Sequence, residues 1–515
     1  MSSGKLSRRD FIRLVGTGAA ALALNGCFPN DDVLTSHAVT ATPYMGGGAE
    51  PDIEINLRAV EDSVQIFSGE KTLVWRYQGE VTSGPADALI NIPNSYLGPA
   101  FNVQTGQTIR VHFKNELAEP SIVHWHGLHV PIEADGHPRL AIAPGETYIY
   151  DFVVDDRAGM YWYHPHPHGR TGTQVYAGMA GLFIIRDENE AALGLPSGDY
   201  DLPIVLQDRI FDENNQLVYG GRGMMDQMMG FLGDQLLING LADFGLSVET
   251  RPYRLRLLNG SNSRIYKLAW DDGAPLTVIG TDGGLLEKPL EREYITLAPA
   301  QRIDLWVDFS MDEVGTERNL VSLPFAAYGG SSSYRVMSVN VEKAAQVSVV
   351  LPEKLSTLTL HDTDKAVNRR SPRRFEMAMG AGMRWSLNGR TFEMDSVADD
   401  EIVQLGDLEL WEFANVAGGG MGMGMMNESL PHPMHVHGLQ YQIVEREIDA
   451  ANRDVWETLK DGFVDEGWHD TVLVLPGERV KIALKFEDFT GLYLYHCHNL
   501  EHEDMGMMRN YRVDG

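Results

Sequence analysis

Thirteen of the seventeen histidines in this sequence fall in four short runs. These are HWHGLH from His124, with His137 close behind, HPHPH from His164, HPMHVH from His432 and HCHNLEH from His496. Neutral imidazole is the commonest metal ligand among side chains. One histidine on a β-rich face is ordinarily a satisfied polar residue, and one alternate-position pair is weak evidence, because strands repeat every two residues. Four such pairs are another matter. They sit among Trp125, Tyr161, Trp162, Tyr163, Tyr493 and Tyr495, which are core-type neighbours, so the runs are not a low-complexity surface tract. The chemistry they point to is metal binding.

Strand geometry sharpens this. Successive side chains point to opposite faces, so His496 and His498 face one way and Cys497 the other. One tripeptide can therefore bind metal on both sides of a strand. Imidazole with a single thiolate suits copper, and two histidines, a cysteine and a weak axial methionine form a blue-copper site. His432, Cys497, His502 and Met507 supply that set. The pairs 124/126, 164/166, 435/437 and 496/498 are left over and can hold three further copper ions.

Short β-rich runs punctuated by Gly, Pro, Asn and Asp must position these residues. APGETYIYDFVV from Ala143, APAQRIDLWVDF from Ala298 and LPGERVKIALKF from Leu475 each read as a turn and then a strand with one buried face. AGMYWYHPH from Ala158 matches TGLYLYHCH from Thr490, and HWHGL from His124 matches HVHGL from His435. The first and third units are thus copies that kept histidines. The middle unit has the strands but no histidine between His168 and His361. This predicts an all-β chain of three β-sandwich domains, at 52–190, 191–346 and 347–515.

With all these motifs present, the chain resembles the multicopper oxidases, the family of laccases, ascorbate oxidases and bacterial copper oxidases, over roughly 52–515. The resemblance implies three cupredoxin-like Greek-key domains and four copper ions, one type 1, one type 2 and two type 3. It places His124 and His435 on the type 2 copper. It gives His126, His164 and His498 to one type 3 copper, and His166, His437 and His496 to the other. It leaves His129, His137 and His168 outside the ligand positions. Electrons from a reductant would enter at type 1 copper and pass through Cys497 to His496 and His498, and O2 would be reduced to water. Asp135 and Glu503 match carboxylates near the copper ions in the family; against the plain alternative of an ordinary solvated acid in an acidic chain, the motif context favours a proton-supplying role for both.

The 515 residues carry 72 acidic and 42 basic side chains, a net charge of −30. That argues against nucleic acid, whose affinity rests on neutralising phosphates. Two cysteines, Cys27 and Cys497, exclude a disulfide framework and a cysteine-rich zinc module. Residues 1–27 read as an export signal: Arg8 and Arg9 precede an apolar run, and SRRDFIRL resembles a twin-arginine signal. LNGC resembles a lipoprotein cleavage site, with Cys27 as the anchored residue. Residues 28–51 read as a loose tether. A periplasmic or cell-envelope monomer that has passed through the twin-arginine machinery is the expectation.

Methionines cluster at 224–229, 377–383 and 421–426. Thioethers suit cuprous ion. Met421, Met423, Met425 and Met426 lie amid glycines before His432, where metal capture and a plain flexible loop are both open readings. Glu428 resembles an acid found at this place in bacterial copper oxidases and could hydrogen-bond His432 or anchor a cation. Three functions of different class follow: a cuprous oxidase serving copper tolerance, a laccase-like oxidase of phenols or other organic reductants, and a copper-free relative acting as a cell-division scaffold. The complete ligand set argues against the last.

Overall fold

A computed structural model describes residues 50–347, 349–379, 384–416 and 430–515. The signal reading with Arg8, Arg9 and Cys27, the end of the second methionine cluster, all of the third, and Glu428 lie outside the described residues. Six sheets form three successive pairs, bearing out the all-β expectation. Their strands run within 53–186, 201–343 and 373–514. No helix among the described residues is long and apolar enough to cross a membrane.

Each pair closes on aromatic and aliphatic side chains from both sheets. In the first, Trp125 meets Tyr150 at 5.3 Å, and Tyr163 meets Tyr77 at 5.1 Å, edge-on or tilted. In the second, Leu255 and Leu305 face Tyr266 and Leu320. In the third, Phe375, Trp411 and Phe413 face Tyr493, Tyr495 and Cys497.

A few elements carry the site. The first domain supplies β1 (Val123–His126), β2 (Gly159–Pro165) and α1 (Thr171–Ala177). The second supplies a short helix, α2 (Met224–Met229), and β3 (Arg302–Asp308). The third supplies β4 (Trp385–Leu387), β5 (His432–Val436), β6 (Thr471–Val474), β7 (Gly491–Cys497) and α3 (Leu500–Asp504).

The internal repeat is visible in the strand register. β1 and β2 pair antiparallel with His124 opposite His164, and β5 and β7 pair antiparallel with His435 opposite His496. Alternation along β7 works as its sequence predicts. Tyr493, Tyr495 and Cys497 enter the apolar core of the third domain, while His496 joins the other histidines. A one-residue slip would exchange the two sets.

Candidate metal centre

Eight histidines from β1, β2, β5 and β7 and the residues just beyond them converge between the first and third domains. All are buried. His124, His126 and His435 form one group of donors, His126, His164 and His498 a second, and His166, His437 and His496 a third. Within each group the donor atoms lie within 4.8 Å of one another.

Backbone carbonyls set how the rings face. His124 Nδ1 bonds Asp135 O at 2.6 Å, and His435 Nδ1 bonds Asp470 O at 2.7 Å. Both Nδ1 protons are thereby committed, so both Nε2 atoms carry lone pairs, yet they face each other at 3.3 Å. His496 and His437 repeat the pattern. Their Nδ1 atoms bond Cys497 O at 3.1 Å and Asp135 Oδ2 at 2.9 Å, and their Nε2 atoms stand 3.1 Å apart. Opposed lone pairs repel unless a cation lies between them. His498 has neither ring nitrogen hydrogen-bonded among the described residues, although it is 1% exposed. These observations fit resident metal ions.

Burial also keeps the rings in ligand form. It pushes His164 down to about 4 and His166 and His432 down to about 3, and it holds His124, His126, His435, His437 and His498 well below the usual histidine range.

The second centre lies on the other face of β7. Cys497 Sγ is 3.5 Å from His432 Nδ1 and 3.7 Å from His502 Nδ1, and the two imidazole nitrogens are 3.2 Å apart. Asn499 caps α3, which carries His502, and its backbone N–H points at the sulfur from 3.4 Å. Met507 is buried in the same cluster, its carbonyl accepting from Cys497 N at 3.0 Å and its N–H donating to His502 O at 2.9 Å. Burial pushes the Cys497 thiol up, so the thiolate form belongs to a metal-bound site.

This centre is roofed by the second domain. His502 Nε2 donates to Met228 O at 3.0 Å, and the Trp385 indole N–H donates to the same carbonyl at 3.1 Å. The Trp385 ring lies 4.8 Å from His432 and 4.5 Å from His502. Met224 and Met225, on the same short helix, are 56% and 49% exposed.

Asp135 and Glu503 both stand at the histidine centre. Burial pushes Asp135 up to about 8. Its Oδ1 has no partner among the described residues and lies 3.6 Å from His124 Nδ1. Glu503 Oε1 is 3.6 Å from His166 Nε2, and its Oε2 is 3.2 Å from His496 Nδ1. Burial opposes its ionisation, but the two rings beside it favour the carboxylate and hold it below the usual range. Of the histidines expected outside the ligand positions, His137 bonds Asn510 at 2.8 Å, His129 lies 3.8 Å from Asp488, and His168 is exposed against Phe392.

Sequence reasoning missed Asp470, Thr471, Arg302, Trp385 and the Met228 carbonyl. Asp470 had a signal, since WHDTVLVL places an acid at the head of an apolar strand. The Met228 carbonyl had none, because a backbone acceptor leaves no mark on residue type.

Comparison with known proteins agrees with this geometry. A family profile described as "Multicopper oxidase" matches residues 75–190, and a second with the same description matches 366–515. The "Multicopper oxidase mco" of Staphylococcus haemolyticus is 30% identical over 420 residues, covering 81% of this chain and 82% of that protein. A "Laccase" of Bacillus stratosphericus is 30% identical over 440 residues, covering 78% and 82%. The crystal structure of the McoA multicopper oxidase of Aquifex aeolicus superposes with a TM-score of 0.76 at 36% identity, covering 90% of this chain and 97% of that one.

Proposed function

Because the chain belongs to the multicopper oxidase family, copper-dependent oxidoreductases that use O2 as acceptor, we propose that it oxidises cuprous ion and reduces O2 to water with about four copper ions. His432, Cys497, His502 and Met507 would hold the type 1 ion. His124 and His435 would hold the type 2 ion. His126, His164 and His498, and His166, His437 and His496, would hold the type 3 pair. Copper, when bound, supplies the one-electron steps that join oxidation of the reductant to reduction of O2. The protein's own residues supply position and protons.

Cys497 sits between His496 and His498 in the chain, so two peptide links join the two centres. Asp135 holds a proton near neutral pH and offers it from Oδ1, while its Oδ2 keeps accepting from His437. Glu503 keeps a negative charge between His166 and His496 and can carry a proton in transit. Asp135→Asn preserves the shape but ends the proton exchange. O2 turnover is expected to fall about 10²–10⁴-fold with the blue colour intact. In the wild type, the protonated acid is lost as pH rises, so an alkaline limb belongs to its profile and is absent from the variant. A pH profile of steady-state O2 uptake measures both.

The observation that carries the cuprous reading is the roof over the type 1 residues. The His502 Nε2 edge is taken by Met228 O, which closes it to a hydroxyl-bearing organic donor, and Met224 and Met225, on the helix that carries Met228, are exposed residues with soft thioethers. The third methionine cluster and Glu428 would add soft and anionic ligands before His432. The second reading, oxidation of phenols, draws on the likeness to the Bacillus laccase. O2 uptake on one preparation with cuprous ion and then a phenol distinguishes them. Faster uptake with the phenol would remove the cuprous reading. We further propose export by the twin-arginine route as a monomer to the cell envelope, with Cys27 as a lipid anchor.

A further inference from the structure

The middle domain has no histidine among the metal donors, yet it reaches the histidine centre with one charge. Arg302 opens β3 and its side chain is 1% exposed. A guanidinium has five N–H donors in a rigid fork, and here all are engaged. Nε donates to Met160 O at 3.1 Å, on β2 of the first domain. Nη1 donates to Ala300 O at 3.1 Å and to Asp470 Oδ1 at 2.8 Å. Nη2 donates to Asp282 O at 3.0 Å and to Asp470 Oδ2. Three domains are therefore joined through one side chain, and its two-point grip falls on Asp470 of the third.

Asp470 is what makes this functional. Its Oδ1 accepts from His126 Nε2 at 3.0 Å, and its backbone carbonyl accepts from His435 Nδ1. Among the described residues, His126 is the one ring of the eight whose Nε2 hydrogen-bonds a carboxylate. It consequently presents Nδ1, which faces His164 Nε2 at 3.4 Å. Thr471 Oγ1 donates to Asp470 Oδ1 at 3.0 Å and stands 3.3 Å from His126 Nε2.

The chain also clears space for the pair. Gly127, directly after His126, has φ +87°, and a Cβ there would stand 2.4 Å from Asp470 Oδ2 and 2.8 Å from Arg302 Nη2. Only glycine tolerates both that backbone and that approach.

We infer that Arg302 is a positioning residue for the three-ion site. By gripping both oxygens of Asp470, it holds the carboxylate against His126 and so turns the Nδ1 edge of that ring to the ion. Groups behind metal ligands fix ring orientation, and their loss typically weakens metal binding by about 10–100-fold. The inference rests on the copper-site reading above.

The test uses the full chain, copper-loaded, as wild type, Arg302→Lys, Asp470→Asn and the double variant. Copper retained per chain against a chelator, the blue band, and the electron paramagnetic resonance of the histidine-bound copper are measured. Lysine keeps the charge but not the two-point fork, and asparagine keeps the shape of Asp470. Both single variants are expected to keep the blue band and to release three-ion copper about 10–100-fold more readily. Their hyperfine pattern should change even in molecules that stay loaded. The double variant should be no worse than Asp470→Asn alone, because Arg302 acts through Asp470. Wild-type retention and an unchanged hyperfine pattern in both single variants would overturn the proposal, even if their unfolding temperature fell. So would additive losses in the double variant. A wild-type chain that takes up no copper would instead overturn the copper-site reading.

Discussion

Cys497→Ser is expected to abolish the blue colour and reduce O2 uptake with every reductant to background, while copper bound by the eight histidines remains. The sulfur is fully buried in the apolar core of the third domain and converges with His432 Nδ1 and His502 Nδ1. Serine is smaller, and its backbone N–H can still donate to Met507 O, so β7 and its register should persist. What is lost is a soft, polarisable donor, and a hydroxyl does not replace thiolate for this kind of site. His496 and His498, on the opposite face of the same strand, are untouched. The expected product is a colourless, folded protein with about three copper ions in place of about four. Visible absorption, copper analysis and circular dichroism on one sample decide it. Surviving blue colour would show that Cys497 is not the thiolate ligand.

Acid should unfold the copper-free protein well before the loaded one. His137, His166 and His432 are held at about 3 and His164 at about 4, all mainly by burial. A histidine whose folded-state pKa is depressed stabilises the fold fully above its unfolded value of about 6.5. That contribution drains away as pH falls toward the folded value. Each ring costs about 1.4 kcal/mol per pH unit across that window. Asp135 and Asp156, pushed up by burial to about 8 and about 7, have the opposite sign and offset part of that loss. The copper-free chain therefore loses this contribution as pH falls below about 6.5. The loaded chain should hold to lower pH, because metal competes with protons for the same nitrogens. Circular dichroism against pH, with and without copper, is the measurement. Coincident midpoints would sink the account.

The donor residues were legible because their signal is local. Alternation around Cys497 and the matched runs at His124 and His435 are patterns over a few residues, and a strand converts them directly into faces. Three sandwiches were legible for the same reason, since a period of two marks a half-buried strand. What escaped reading acts across long separations or through the backbone. Arg302 and Asp470 are 168 positions apart, and neither is unusual where it stands. The middle domain showed strands without histidines, because its contribution is one guanidinium and one peptide carbonyl instead of a histidine motif. Trp385 reads simply as a core residue, and only the fold reveals that its ring rests on both His432 and His502.

The sharing of rings between the first and third domains also sets a timetable. His166 and His496 meet in space but are separated by 330 positions in the chain. At a synthesis rate of roughly 5–20 residues per second, about 15–65 s pass between the appearance of one and the other. Until His496 and His498 emerge, neither of the two groups that draw on them is complete. The complete set exists only after Cys497, His498 and His502 have emerged and the middle domain has delivered Arg302 and the Met228 carbonyl. Completion of the donor set is therefore a late event in the life of the molecule, one that belongs to a finished fold and not to a growing one.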